Sequence, residues 1–343
     1  MNLARWFVLA LVLVPVACTS VVNTPSTKPA IPLVKADDVG DVLMGEYAGK
    51  FTPATGAASS AVARVYPLGD GQYGVLLMKG DNDPDPMQLA GKAAGDKLEF
   101  SNQAGDAKGS LVGGKTATAT TKSGKYDLNF NVRKSPSEGA KPPEGAIVLL
   151  PFEEGKPTSM AEWTNTSWPL MPDGSIQAGK GGSTTTKRNF GDIKLHVEFK
   201  TSYEPKGRGQ ARGNSGVGLM DRYEIQVLDS FGVSGVADKG DCASVYGKVP
   251  PRVNAALPPL AWQTFDITFH APRWTDGKMM KKPTVTVVWN GVTVQQDQEI
   301  AGPTGIGEMT DAKGPAPIQL QDHGHLVRFR NMWVVELKDA GGK

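Results

Sequence analysis

Residues 213–230 read GNSGVGLMDRYEIQVLDS, and this stretch decides the fold. Its second half, 223–227, alternates strictly between apolar and polar residues, which is the period of a strand with one buried face. Glu224 and Gln226 therefore share the side that faces away from the core. Such a pair is often no more than solvated surface. Here it follows a Gly-Asn-Ser-Gly lead-in and a short Met-Asp-Arg turn, and a matching polar strand comes much later in the chain.

The composition favours β structure. The chain has 343 residues with 41 glycines and 25 prolines, which suits turn-rich sheets better than helix bundles. The formal net charge is +2 and no run of lysine and arginine stands out, so no nucleic-acid partner is expected. The spacings typical of phosphate loops, dinucleotide folds and zinc fingers are missing, so the sequence predicts no cofactor and no metal site.

The first 18 residues have the pattern of a signal peptide. Arg5 gives a positive start, the apolar run 6–14 is short for a membrane span, and Cys18 follows a small residue. This ending resembles a bacterial lipoprotein signal, in which Cys18 would be lipidated; Pro15 departs from the usual leucine, so plain secretion is the alternative. Either way the mature protein lies outside the cytoplasm, in the cell envelope or periplasm if anchored. Membrane contact is expected only through the lipid on Cys18.

The remaining chain divides by composition. Residues 19–38, rich in proline, serine and threonine, are predicted to form a flexible tether. Short alternating runs over 39–133 predict a small separate β domain without clustered titratable groups. Residues 134–145, KSPSEGAKPPEG, have the composition of a linker. A second domain follows over 146–338, and its many alternating strands predict an antiparallel β-sandwich, so the fold class is all-β.

Once Cys18 is lipidated or removed with the signal peptide, Cys242 is the one cysteine left with a free thiol. No internal disulfide is then expected, although an extracytoplasmic compartment would permit one. A lone cysteine is more often inert packing than a nucleophile, so no thiol chemistry is predicted.

A second set of polar residues matches Glu224 and Gln226. In 318–321 and 327–330, apolar residues alternate with Gln319, Gln321, Arg328 and Arg330. If all the apolar sets share one core, these side chains face outward on strands that could be neighbours of 223–227. Directional hydrogen-bonding groups on a sheet face suit a hydroxyl-rich ligand. Trp168, Tyr246 and Trp262 are candidates to stack on a sugar ring at the rim, with core packing as the alternative for each.

His323 is the candidate acid or base, because its side chain titrates nearest to neutral pH. It lies beside Asp322 and is expected to face Glu224. The alternative is a surface histidine on a loop. His325 lies two residues further on, but no His-x-x-x-His spacing supports a metal site.

Several ordered motifs resemble one known family. They are RGNSGV at 212–217, YEIQVLDS at 223–230, PPLAWQTF at 258–265, Asn-Gly at 290–291, and LQDHG with VRFRN at 320–331. Together they are similar to the 3-keto-disaccharide hydrolase domain, formerly called domain of unknown function 1080, over about 146–337. The resemblance implies a concanavalin- or laminarin-type lectin-like jelly roll. Secreted relatives from planctomycete-like bacteria are similar even in the linker and the β domain before it.

The resemblance also implies a chemistry and a set of site residues. In a glycoside oxidised at C3, the ketone acidifies the C2 proton; a base removes it, the C1 substituent leaves by β-elimination, and hydration completes net hydrolysis. Glu224 and His323 would transfer the protons, Asp322 would orient His323, and Gln226, Gln321 and Arg330 would polarise the ketone or hold hydroxyls. The candidate substrate-binding set is Arg212, Asn214, Gln226, Tyr246, Trp262, Gln319, Gln321, Arg328 and Arg330.

One departure from the family pattern concerns Cys242. Relatives carry a second cysteine just before the Pro-Pro-Leu segment, where this chain has Ala255 and Ala256. The resemblance therefore implies a lost disulfide and a looser loop over 238–257.

Three functions are compatible with these observations. The first is an extracytoplasmic enzyme that cleaves 3-keto-glycosides, by elimination or by direct hydrolysis. The second is a non-catalytic lectin-like module, since this fold serves both roles. The third, a structural envelope lipoprotein, needs no polar face. Glu224 and His323 within reach of one another favour the enzyme.

Overall fold

The structure is a computed structural model that describes residues 41–80, 83, 85–179, 181–233 and 237–338. The predicted signal peptide, the lipidation site at Cys18 and the tether over 19–38 lie outside these residues. Asp41–Lys343 is assigned to one compact unit. Within the described part of the chain, no helix has the length and apolar character that a membrane span requires.

The first part of the described chain is a closed antiparallel barrel of eight strands. The strands are β1 (Gly45–Pro53), β2 (Ser59–Gly69), β3 (Gln72–Met78), β4 (Met87–Ala94), β5 (Lys97–Ser101), β6 (Lys108–Val112), β7 (Thr116–Thr121) and β8 (Gly124–Asn131). The strands of the barrel alternate strictly: in β7 the alanines at 117 and 119 are buried, and the threonines at 116, 118 and 120 are exposed. Closure pairs β1 with β8 and leaves no free edge.

The second part contains a larger and a smaller sheet. The large sheet runs in the order β10-β21-β12-β15-β18-β19, with β9 also paired to β21, and the small sheet runs β11-β20-β13-β14. The bounds are β9 (Ile147–Leu150), β10 (Ile176–Gln177), β11 (Thr184–Phe190), β12 (Ile193–Lys200), β13 (Ser215–Leu219), β14 (Tyr223–Val227), β15 (Gln263–His270), β18 (Thr284–Trp289), β19 (Val292–Glu299), β20 (Ala316–Leu320) and β21 (Arg328–Glu336). A 3₁₀ turn at Gly209–Ala211 and a hairpin of β16 (Arg273–Thr275) and β17 (Lys278–Lys281) complete the described elements.

The two sheets pack face to face around one apolar core. Tyr223 from the small sheet contacts Phe269 from the large sheet, with ring centroids 5.8 Å apart. Tyr223, Ile225 and Val227 are fully buried, as the alternation in 223–227 predicts. The all-β class and the antiparallel sandwich are thus confirmed.

The segment predicted as a linker, 134–145, lies along the outer face of the large sheet. The Gly139 amide donates to Glu198 Oε1 at 2.5 Å, and the Ser137 hydroxyl donates to Asp266 at 2.6 Å. Asn331 donates to the Ala140 carbonyl oxygen at 3.0 Å. Composition alone suggests a spacer, whereas these bonds fix the segment to the sheet and cover that face.

The barrel makes direct polar contacts with the sandwich. The Asp41 carboxylate accepts hydrogen bonds from Tyr73 of the barrel at 2.9 Å and from Tyr203 of the sandwich at 2.7 Å. Arg133, just after β8, donates to the Ala256 carbonyl oxygen at 2.8 Å. Through these contacts the barrel supports the segment that leads into β13.

Candidate functional site

The face of the small sheet that points away from the core carries two transverse rows of residues, set by strand register. The first row is Gln319, Gly218 and Glu224, and the second is Gln321, Gly216 and Gln226. We call this surface the small-sheet face. Sequence analysis placed all four of its polar side chains on one outward surface, and the structure brings them together.

Residues 243–246 extend the small-sheet face beyond the edge of β14. The Gln226 amide donates to the Ser244 carbonyl oxygen, and the Tyr246 amide donates to the Glu224 carbonyl oxygen, both at 3.1 Å. Residues directly opposite each other in an antiparallel pair project to the same side. Tyr246 therefore borders the row of Glu224, as the candidate set expects, and Ser244 borders the row of Gln226.

Both outward positions of the central strand β13 are glycines. A Cβ built on Gly216 would lie 2.6 Å from Gln321 Oε1 and closer still to Glu224 Oε1, so a side chain there would displace both groups. Because Gly216 has no side chain, the carboxyl group of Glu224 and the amide of Gln321 can both lie directly over β13. Sequence analysis gave no role to Gly216 or Gly218, although the alternation in GVGL was the signal that both face outward.

Glu224 is the most perturbed carboxyl group of this face. Its side chain is almost wholly inside, with 3% of the residue exposed. Burial without a neighbouring cation raises its pKa from 4.5 to about 8. The carboxyl group is therefore mainly protonated at neutral pH and able to donate a proton.

The Gln226 side chain links Glu224 to residues behind the face. One amide atom lies 2.8 Å from Glu224 Oε1 and 3.0 Å from the Ser215 carbonyl oxygen. The other lies 2.8 Å from Gln210 Oε1 and 3.2 Å from Asn214 Oδ1. An ionised Glu224 accepts from the amide nitrogen, and a protonated Glu224 donates to the amide oxygen, so the amide orientation follows the protonation state. Gln210 was missed by sequence analysis.

Two buried polar atoms on this face have no hydrogen-bond partner within the described residues. They are Gln321 Oε1 and Ser244 Oγ. Buried polar atoms in folded proteins are almost always paired, so each is available to a group supplied from outside the chain. A hydroxyl group, which both donates and accepts, satisfies either atom.

Asp322 and His323 follow β20, at the end of the second row. The Asp322 carboxylate accepts hydrogen bonds from the amides of Gly179, Gly182 and Gly324 at 2.8–3.0 Å. It fixes the turn by these bonds and makes none to His323, so the expected orienting role is not seen. His323 lies at the surface, where neighbouring atoms still displace part of the water around its ring; this desolvation, followed by the charge of His325, lowers its pKa.

His325, rather than His323, has a carboxylate partner. Its Nδ1 lies 2.6 Å from Glu204 Oε2, which also accepts from the Gly213 amide at 3.0 Å. Burial raises the pKa of Glu204, but the hydrogen bonds to its carboxylate, of which the one from His325 has the largest effect, outweigh burial and lower the pKa. The pair lies beside the start of β13 and was not anticipated from the sequence.

Arg328, Arg330 and Trp262 do not belong to the small-sheet face, which corrects the expectation that they do. β20 is in the small sheet and β21 is in the large sheet, and the chain crosses between them at 321–327. The polar residues of β20 and β21 alternate in the same way, but they face outward on opposite sides of the sandwich.

On that opposite side, the three residues are fully engaged. Arg330 donates to Glu198 at 2.7 Å, and its guanidinium carbon lies 4.0 Å from the Trp262 ring centroid. The Lys200 ammonium lies 4.6 Å from the same ring. Arg328 donates to Asp173 at 3.0 Å. Trp262 thus takes part in cation–π contacts with Arg330 and Lys200 on the large sheet.

Three other candidates are held by internal partners. Arg212 is buried and donates to Asp229 at 2.6 Å, and burial raises the pKa of Asp229 to about 6 despite this contact. Gln319 donates to Asp221 at 2.7 Å. Trp168 is buried and donates to the Gly182 carbonyl oxygen at 2.8 Å, which is the core-packing alternative. Arg212 is therefore held within an internal ion pair, and Trp168 is part of the core.

Cys242 is buried and free, and burial raises the pKa of its thiol. A thiol kept neutral in this way is a poor nucleophile, in keeping with inert packing.

The model of a known family, the 3-keto-alpha-glucoside-1,2-lyase-like domain, matches residues 145–335, which include both rows of the small-sheet face. The chain belongs to this family. Membership supports a carbohydrate-active, glycosyl hydrolase-like function, and the barrel lies outside the matched region.

One of the similar solved structures agrees with this assignment. A proposed glycosyl hydrolase from Parabacteroides distasonis is 34% identical with a TM-score of 0.51, and the alignment covers 57% of this chain and 84% of that one. A second such protein from the same organism is 21% identical with a TM-score of 0.39, over 52% of this chain and 95% of that one. A comparison with curated proteins finds no match.

Proposed function

We propose that this protein is an extracytoplasmic enzyme that cleaves the glycosidic bond of 3-keto-glycosides by β-elimination. The observation that carries the proposal is the small-sheet face: a buried carboxyl group with a pKa of about 8 lies over Gly216 beside the amide oxygen of Gln321, which has no partner among the described residues. Perturbed titratable groups among polar side chains are typical of catalytic sites. The family assignment supports the choice of a 3-keto-glycoside as substrate.

Glu224 and His323 take distinct roles in this proposal. Because its pKa is lowered, His323 is neutral at pH 7 and accepts the C2 proton. The C2–H electrons form the C1–C2 double bond as the C1–O bond breaks, and Glu224 gives its proton to the departing oxygen. Addition of water across the resulting enone then yields the free 3-keto sugar. Gln321 binds a sugar hydroxyl through its amide, Gln226 holds the Glu224 carboxyl group in place, and Arg330 has no part.

Turnover of defined sugars tests the proposal. Purified protein of residues 19–343 is incubated with 3-keto-trehalose or a 3-keto-β-glucoside, with the unoxidised sugar alongside, and products are followed by mass and by enone absorbance. We expect cleavage of the keto-sugar alone and loss of at least about 100-fold in His323→Ala and in Glu224→Gln. Full activity in folded His323→Ala would remove this residue from the mechanism.

A sugar-binding module without catalysis is the second candidate, because the face is rich in amides and two of its buried polar atoms have no partner in the part of the chain that the structure describes. Saturable glycan binding with no turnover of either sugar would favour it over the enzyme.

The location is part of the same proposal. The signal-like residues 1–18 motivate a lipid anchor at Cys18. Expression in a bacterial host with a labelled fatty acid should label the protein and place it in the membrane fraction, and Cys18→Ser should abolish both. Unlabelled wild-type protein in the medium would indicate plain secretion.

A further inference from the structure

Gln210 connects the surface of the protein to the small-sheet face. It lies in the 3₁₀ turn Gly209–Ala211 and is itself exposed, yet its side-chain amide makes hydrogen bonds at both ends. The nitrogen Nε2 donates to the Gly240 carbonyl oxygen at 2.8 Å. A backbone carbonyl oxygen can only accept, so this bond fixes which end of the Gln210 amide is the nitrogen. The oxygen Oε1 therefore faces Gln226, whose nearer amide atom lies 2.8 Å away.

Asn214 is oriented by a second backbone carbonyl group. Its nitrogen Nδ2 donates to both the carbonyl oxygen and the side-chain oxygen of Gln210, each at 3.1 Å. Its oxygen Oδ1 therefore also faces Gln226, at 3.2 Å. Two acceptors, each oriented by the main chain, thus converge on one end of the Gln226 amide. That end is the nitrogen, because an amide oxygen there would face two other oxygens.

This arrangement places the side-chain oxygen of Gln226 against Glu224, 2.8 Å from its Oε1. An ionised carboxylate has no hydrogen to donate, so the two oxygens form a hydrogen bond only when Glu224 is protonated. The Ser215 carbonyl oxygen, 3.0 Å from the same Gln226 atom, opposes this orientation, because two acceptors then face each other. The side chains of Gln210 and Asn214 therefore compete with Ser215 for the orientation of the Gln226 amide.

We propose that Gln210 is a positioning residue that keeps Glu224 in its acid form by holding the oxygen of the Gln226 amide toward the carboxyl group. A hydrogen bond to the neutral form of a carboxyl group disfavours its ionisation, so the chain of amides acts in the same direction as burial. The use of the Glu224 proton in glycoside cleavage rests on the proposed function, whereas its retention by Glu224 does not. Because Gln210 is exposed, its replacement removes the amide without leaving a cavity in the core.

Infrared difference spectroscopy of Gln210→Met tests the proposal. Each protein is compared with the same protein carrying Glu224→Gln, which isolates the C=O stretch of protonated Glu224, and the band is followed from pH 5 to 10. In the wild type we expect the band at pH 7 and its loss with a midpoint of about 8. Methionine has no amide, so Gln226 can turn its nitrogen toward Glu224 and Ser215, and the midpoint should fall by about one pH unit or more. Gln103→Met, the same change at an exposed glutamine between β5 and β6, is the matched control and should leave the midpoint unchanged.

A second variant separates the acceptor from the rest of the Gln210 side chain. Gln210→Glu keeps an oxygen toward Gln226, so its midpoint should be no lower than that of the wild type. An unchanged midpoint in folded Gln210→Met overturns the proposal. A lowered midpoint in Gln210→Glu, or a wild type without the acid band at pH 7, overturns it as well.

Activity measurements distinguish failure of this inference from failure of the proposed function. If keto-glycosides are cleaved with Glu224 as the proton donor, the basic limb of the kcat/KM–pH profile should move in Gln210→Met with the infrared midpoint. A limb that stays in place while the midpoint falls contradicts Glu224 as the donor and supports the role of Gln210. If no keto-glycoside is cleaved, the infrared titration alone still decides whether Gln210 holds the proton on Glu224.

Discussion

Glu224→Gln should make the protein more stable while it removes activity. The wild-type carboxyl group is buried, with a pKa raised from 4.5 to about 8. A raised carboxyl pKa means that the folded state favours the protonated form, so its contribution to stability is present below pH 4.5 and is lost as the pH rises through 8. Glutamine has nearly the same shape and never ionises. The Glu224→Gln variant therefore does not lose this stability as the pH rises.

The size of the effect follows from the pKa shift of Glu224. Each pKa unit is equivalent to about 1.4 kcal/mol, so the carboxylate costs about 4 kcal/mol at pH 8 and less than about 1 kcal/mol at pH 5. The amide nitrogen that the Glu224→Gln substitution introduces can also donate to Gln321 Oε1, which is unpaired within the described residues. We expect the stability gain of the variant to be several-fold larger at pH 8 than at pH 5.

Urea unfolding of wild type and Glu224→Gln at pH 5, 6.5 and 8 measures this gain. Taking the difference between the two proteins at each pH cancels every other titrating group that they share. The activity assay with a 3-keto-glycoside is run on the same samples, and a loss of at least about 100-fold is expected. A stability difference that is the same at pH 5 and pH 8 would show that Glu224 is not buried as a neutral acid, and the reasoning would fail.

Three further predictions concern the floor of the site, its histidines and the opposite face. Gly216→Ala should lower kcat/KM by about 10-fold or more, because the added Cβ displaces Glu224 and Gln321, whereas Gly191→Ala, which meets nothing within 4 Å, should match the wild type in the same assay. His325→Gln removes the charge that helps to lower the pKa of His323, so the acid limb of the kcat/KM–pH profile should move to higher pH by less than about one unit; an unmoved limb would exclude His323 as the base. Arg330→Met leaves the buried Glu198 carboxylate without its cation and should destabilise the protein by about 3–5 kcal/mol in urea unfolding, with KM unchanged; a raised KM would return Arg330 to the sugar site.

The sequence by itself determined the strands and the side of each strand that faces the core. Apolar and polar residues alternate with a period of two in 223–227. The same period places Gln319 and Gln321 on the side of the strand opposite Ile318 and Leu320. Burial of one face enforces this alternation residue by residue, so it is readable without a structure. The family motifs cover the same strands, and the all-β sandwich follows from both.

Only the tertiary structure decided which strands are neighbours. Local alternation is identical in β20 and β21, yet one strand belongs to each sheet, and this separates Arg328 and Arg330 from Glu224. Pairing is a long-range choice set by the crossover at 321–327, and nothing in the two short patterns encodes it. For the same reason, the fixing of residues 134–145 on the large sheet was not predicted from their linker-like composition.

The details of the small-sheet face were also decided by contacts distant in sequence. Ile306 reaches Gly218 from a loop about 90 residues further along the chain, and His325 meets Glu204 across a comparable separation. Burial by such partners, rather than the sequence around Glu224, raises its pKa to about 8. The sequence thus identified the carboxyl group, and the packing of remote segments around it determined its protonation state.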